Sequence, residues 1–148
     1  MDDLVLRDGL YYKKFDDTPY SGKIDGNFTR GSMRNGKKSG AWVSFWETGQ
    51  LNYKGVYVDG KRDGYWVKYH DDGSLWEKGN FINGSRDGFW IGYYWNGVLM
   101  GKGNYKNGIK DGPWIGFYYN GQLDYKGEYK NGKEVGAWEK YNKDGTSR

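Results

Sequence analysis

The sequence has no cysteine, one histidine and two prolines. Lack of cysteine excludes disulfides and thiolate metal sites. With His70 as the only histidine, neither a serine–histidine–aspartate triad nor a transition-metal centre is credible. No apolar run approaches the roughly 20 residues of a membrane-spanning helix. The opening Met1-Asp2-Asp3-Leu4 lacks the basic and apolar regions of a secretory signal, so a cytoplasmic location is expected. No helical periodicity is present, and the phosphate-cradling glycine patterns need a strand followed by a helix. The net charge of +4 is spread along the chain without a basic arm, which argues against nucleic acid as a partner. No catalytic residue, metal ligand or cofactor site is expected.

Glycine and aromatic residues are abundant instead. Glycine accounts for 26 of 148 residues, against an ordinary share of about 7%. Aromatics make up 20%, so the apolar content is largely tryptophan, tyrosine and phenylalanine, which bury large areas while keeping a polar handle. Glycine-rich disordered chains are poor in such residues. A thin sheet held together by rings fits this composition, and the length fits one domain.

Five Gly-x-Trp tripeptides recur every 24 residues, at Gly40, Gly64, Gly88, Gly112 and Gly136. A fixed period of this size marks a repeat architecture. Their tryptophans are Trp42, Trp66, Trp90, Trp114 and Trp138. In each copy an aromatic, β-branched segment reads as a strand. A turn follows at Thr48-Gly49, Asp72-Gly73, Asn96-Gly97, Asn120-Gly121 and Asp144-Gly145. After a second strand, another pair closes the unit at Asp59-Gly60, Asn83-Gly84, Asn107-Gly108 and Asn131-Gly132. Asn-Gly and Asp-Gly supply positive φ and signal hairpins. A short polar link such as Lys61–Gly64 then leads to the next copy. The expected fold is all-β: an open-ended, single-layer antiparallel meander of stacked hairpins. Residues 40–148 would hold five copies, the last truncated, and residues 1–39 an N-terminal cap hairpin with a degenerate copy, all in one continuous domain.

The second strand alternates. Leu51, Tyr53, Gly55 and Tyr57 share one face by period two. Glycine inside a strand costs stability, yet Gly55, Gly79, Gly103 and Gly127 recur there. A ring from the adjacent strand laid over that bare backbone would account for them. Either the tryptophan column or the Phe45, Tyr69, Tyr93, Phe117, Tyr141 column could supply the ring, and the buried face stays open at this stage. The opposite face carries Lys54, Lys78, Lys102 and Lys126, which would recur every ~10 Å across the sheet.

These residues resemble MORN-type repeats, in particular the bacterial MORN-variant family often labelled antitoxin-like. The resemblance rests on Gly-x-Trp, on the run from Asn120 to Gly127 (NGQLDYKG) and on Tyr129-Lys130-Asn131-Gly132-Lys133, and it spans about Gly22 to Gly145. It implies a curved, elongated sheet used for protein–protein contact and scaffolding, sometimes for lipid association, and as an antitoxin-like component for neutralising a partner. A protein partner is therefore expected first and anionic lipid second, with end-to-end pairing of two copies through the open sheet ends. The candidate binding surface comprises the four lysines and the aromatics outside the regular columns, namely Trp46, Trp76, Tyr94, Trp95 and Tyr119. The tryptophan and glycine columns are read as structural.

Overall fold

The computed structural model describes residues 3–148. Thirteen strands follow in chain order: β1 (Leu4–Arg7), β2 (Leu10–Lys13), β3 (Gly22–Asp25), β4 (Thr29–Arg34), β5 (Lys37–Phe45), β6 (Leu51–Val58), β7 (Lys61–Tyr69), β8 (Leu75–Ile82), β9 (Ser85–Tyr93), β10 (Leu99–Lys106), β11 (Ile109–Phe117), β12 (Leu123–Lys130) and β13 (Lys133–Lys140). The first two form a separate two-stranded sheet, with Tyr12 of β2 also bridging Pro19. The remaining eleven form one antiparallel sheet in sequential order, with β3 and β13 as its edges. The sheet is an open meander of stacked hairpins.

Two kinds of connection alternate. At Asn35-Gly36, Asp59-Gly60, Asn83-Gly84, Asn107-Gly108 and Asn131-Gly132 both residues have positive φ, 48–51° at the first and 72–88° at the second. These are tight two-residue turns whose twist matches the flanking strands. The five-residue loops at the other end work differently from expectation. Only their glycines (Gly49, Gly73, Gly97, Gly121) have positive φ. Asp72, Asn96 and Asn120 instead accept a hydrogen bond from the backbone N–H two residues on, at 2.8–3.1 Å, as short amide and carboxylate side chains do in turns.

The segment Lys61–Gly64, expected as a link, is the first half of β7. What disguises it is a bulge. Val56 pairs with Asp63 and Lys54 with Val67, so Gly64, Tyr65 and Trp66 together face Gly55. Gly64 adopts φ +76° inside the strand, as do Gly40, Gly88, Gly112 and Gly136 at 69–88°. Gly-x-Trp is therefore a bulge signature: the glycine takes a positive φ that side-chain-bearing residues rarely adopt inside a strand, and the tryptophan is re-aimed.

Each tryptophan lies over the glycine eleven residues earlier on the preceding strand. A Cβ added at Gly31, Gly55, Gly79, Gly103 or Gly127 would meet the indole of Trp42, Trp66, Trp90, Trp114 or Trp138 at 2.2–2.3 Å. Four of these indoles also donate to a carbonyl of that strand (Ser32, Val56, Asn80, Asn104) at 2.8–3.1 Å. The rings form an unbroken series, Trp42–Tyr57–Trp66–Phe81–Trp90–Tyr105–Trp114–Tyr129–Trp138. Centroids lie 4.9–6.5 Å apart and planes cross at 77–88°, the edge-to-face geometry that aromatic quadrupoles favour. This series is the core. Ile24 and Met33 join it, and Leu4 of β1, Tyr11 of β2 and Tyr20 pack against this buried cluster.

Candidate binding surface

The lysines occupy one row on the face opposite the rings. Pairing registers run Arg30–Val43–Lys54–Val67–Lys78–Ile91–Lys102–Ile115–Lys126–Glu139 across ten strands. From Arg30 to Lys126 basic and β-branched residues alternate, so the stems of Lys54, Lys78 and Lys102 each lie between two apolar side chains and that of Lys126 between Ile115 and Glu139, the usual way to keep the head in water while the stem covers apolar surface. Lys54, Lys102 and Lys126 are exposed and Lys78 is half-buried. Among the described residues only Lys126 has an acidic partner, Glu139 at 3.8 Å. Exposed Tyr65 and Phe89 flank the row, and a shallow groove of about 530 Å³ opens between Phe89, Lys102, Ile115 and Lys126.

The irregular aromatics divide into three groups. Trp46 and Tyr94 begin five-residue loops and tether neighbouring hairpins. Trp46 Nε1 donates to the Tyr69 carbonyl at 3.2 Å, and the Tyr94 hydroxyl to that of Phe117 at 2.9 Å. His70 and Tyr118 occupy the same position and reach the carbonyls of Tyr93 (3.1 Å) and Tyr141 (2.9 Å). Because a carbonyl only accepts, His70 carries its proton on Nε2 in this contact. Trp76 stacks on His70 with centroids 5.1 Å apart and planes 7° from parallel, and Lys68 Nζ sits 3.7 Å from its ring centre. Trp95 and Tyr119 stand at adjacent loop tips, 71% and 53% exposed.

Two periodic columns escaped sequence reasoning. The first is cationic. Lys38, Arg62, Arg86 and Lys110 place their charges 4.2–5.0 Å above Trp42, Trp66, Trp90 and Trp114, a geometry worth about 0.5–1 kcal/mol at exposed sites. In the last copy Glu134 holds this position. It pairs with Lys140 at 2.8 Å, whose ammonium lies 5.3 Å from the Trp138 ring centre, so a cation still covers the last ring. The second column is acidic. Asp63, Asp87 and Asp111 accept from the backbone N–H of Asn83, Asn107 and Asn131 at 2.9–3.2 Å, tying each tight turn to the next. Both columns recur every 24 residues. Reading each register position down the copies would have exposed them.

Among the described residues no three His, Asp or Glu side chains gather as metal ligands. An open one-layer sheet of copied hairpins, whose neighbours contact only neighbours, is a repeat scaffold. A family model described as MORN repeat variant matches residues 38–59, 62–83, 86–107 and 110–131, and this chain belongs to the MORN repeat variant family. Each matched copy opens on a ring-covering cation, Lys38, Arg62, Arg86 or Lys110. A search of curated proteins finds no match. Among solved structures the chain is similar to one in the crystal structure of accessory secretory protein 1,2 and 3 in Streptococcus pneumoniae. Identity is 21% and the TM-score 0.36, with 64% of this chain and 18% of that chain covered. This chain thus spans under a fifth of that one's length.

Proposed function

We propose that the protein is a non-catalytic scaffold that binds another protein through its lysine-bearing face, and that the bound surface is acidic. The supporting observation is the alternation of Lys54, Lys78, Lys102 and Lys126 with Val67, Ile91 and Ile115 along one row. Positive charge is laid over apolar ground with a single acidic partner, at Lys126. Such a row offers charge complementarity for orientation and apolar area for affinity. An antitoxin-like role, in which the bound partner is blocked, is the particular form of this reading that the family resemblance suggests. Pairing of two copies along the β13 edge belongs to the same proposal, and light scattering that returns only a monomer at high concentration argues against it.

The test compares the wild-type chain with a Lys78→Glu, Lys102→Glu, Lys126→Glu variant in pull-downs at low and high salt. An acidic protein retained by the wild type, released by salt and lost by the variant supports the reading. Equal capture by both chains refutes it. Flotation with anionic and neutral liposomes runs beside it; variant-sensitive binding to anionic vesicles alone replaces the protein reading with a membrane one.

A further inference from the structure

The repeat pattern lapses once on the ring-bearing face. One row crosses the sheet as Ser44–Tyr53–Lys68–Glu77–Gly92–Gly101–Gly116–Tyr125–Lys140, paired residue by residue. Every strand from β5 to β13 contributes a side chain to it except β9, β10 and β11. Two of these three glycines have structural reasons. A Cβ at Gly116 would run into the Tyr125 ring at 2.4 Å, and one at Gly101 would sit 2.9 Å from the Ile115 carbonyl oxygen. Gly92 has neither. Its φ is not positive, and a Cβ there would meet nothing closer than 3.5 Å. The neighbouring copies carry Lys68 and Gly116 at this position.

The missing side chains leave a slot of about 200 Å³ floored by Gly92 and Gly101 and walled by Trp90, Tyr105, Trp114 and Tyr125. Its two ends differ electrically. At one end Glu77 and Arg86 neutralise each other at 2.9 Å. At the other, half-buried Lys110 lies 3.5 Å from the Tyr125 hydroxyl and has no carboxylate partner among the described residues. Burial pushes its ammonium pKa below the usual lysine value, a penalty that an incoming anion would relieve.

We propose that this slot binds a small planar monocarboxylate, with its carboxylate on Lys110 and the Tyr125 hydroxyl and its apolar body over the Gly92–Gly101 floor. The aromatic walls suit a flat apolar body. One cation without a carboxylate partner suits a single negative charge, and the neutralised Glu77–Arg86 pair at the far end offers no second free cation for a dianion such as phosphate. This site is on the face opposite the lysine row and does not depend on the reading given above.

Benzoate is the probe, titrated against the full chain while backbone amide shifts are followed by NMR. Benzamide serves as the neutral isostere and inorganic phosphate as the dianion. Saturable shifts confined to β9–β12 are expected with benzoate. Benzamide should bind about tenfold more weakly, as follows from losing a charge-assisted contact. Gly92→Leu fills the slot and should abolish binding with an unchanged melting temperature. Lys110→Met should leave benzoate no better than benzamide. Absence of saturable shifts, equal binding of benzamide, tighter binding of phosphate, or full benzoate binding by folded Gly92→Leu would each overturn the proposal.

Discussion

Replacing Gly103 by alanine adds one methyl group directly beneath the Trp114 indole. The new carbon would sit 2.3 Å from Cδ2 and 2.4 Å from Cε2 of Trp114, well inside ordinary contact. The neighbour is a rigid indole rather than the end of a flexible chain, and it is pinned by a 2.8 Å hydrogen bond from Nε1 to the Asn104 carbonyl. To admit the methyl the ring must lift, which strains its contacts with Tyr105 and Tyr129. Overpacking costs about 1–3 kcal/mol, and loss of the indole hydrogen bond about 1 kcal/mol more. Alanine's lower unfolded-state entropy returns about 0.4–1 kcal/mol. The net loss is about 1–3.5 kcal/mol, which for a chain of this size lowers the melting temperature by roughly 2–14 °C. Gly92→Ala is the matched control: the same chemical change, also inside a strand, but with its nearest neighbour at 3.5 Å, so it should be neutral or slightly stabilising. Thermal unfolding followed by circular dichroism measures both. An unchanged midpoint for Gly103→Ala, or equal destabilisation by Gly92→Ala, would refute ring-over-glycine packing as the reason for the column.

His70→Phe should cost about 1 kcal/mol by removing the donor to the Tyr93 carbonyl, whereas His70→Tyr should be tolerated, because tyrosine holds the equivalent place at Tyr94 and Tyr118; denaturant midpoints distinguish the two. Arg86→Met should destabilise more than Arg62→Met. The latter loses a cation above a ring, while the former also strands the half-buried Glu77 carboxylate, at roughly 1–3 kcal/mol; urea unfolding compares them. Burial, with smaller effects from Tyr129 and Asp124, raises the Tyr125 pKa to about 12. The folded state therefore holds this proton more tightly than the unfolded state, where tyrosine titrates near 10. That contribution to stability is complete below about pH 10 and is lost as pH climbs from 10 to 12. Tyr125→Phe should flatten this part of the stability–pH curve, and ultraviolet titration of the wild type should show a late tyrosinate.

Much of the fold was legible because the same local chemistry is written five times. Asn-Gly and Asp-Gly pairs announce reversals whatever surrounds them, and the alternation of Leu51, Tyr53, Gly55 and Tyr57 needs only the two-residue period of a strand. The polar stretch Lys61–Gly64 was misread for an equally local reason. Its positive-φ glycine and its charges look like a loop, and only the register with β6 shows a bulge within a strand. That misreading hid the cations as well, since Arg62 and Arg86 seemed to lie outside any strand. Trp46 and Tyr94 looked available for binding because they broke the aromatic pattern. Their partners are carbonyls 23 residues away, a relation invisible without the stacking of one hairpin on the next. The lysine row was legible as a row. The Val67, Ile91 and Ile115 side chains between its members belong to the alternate strands and emerge only from pairing. The slot beside Lys110 is a deletion of side chains, and a gap is seen only when its walls are in place.

The central claim is that each indole rests face-down on a bare glycine of the preceding strand, copy after copy. Proton NMR tests this most directly, because a ring above a glycine shields its α-protons. The account predicts strong upfield shifts for α-protons of Gly31, Gly55, Gly79, Gly103 and Gly127, with cross-peaks to the indole protons of Trp42, Trp66, Trp90, Trp114 and Trp138 respectively. Ordinary glycine shifts at these five positions, or cross-peaks from those indoles to other strands, would contradict it.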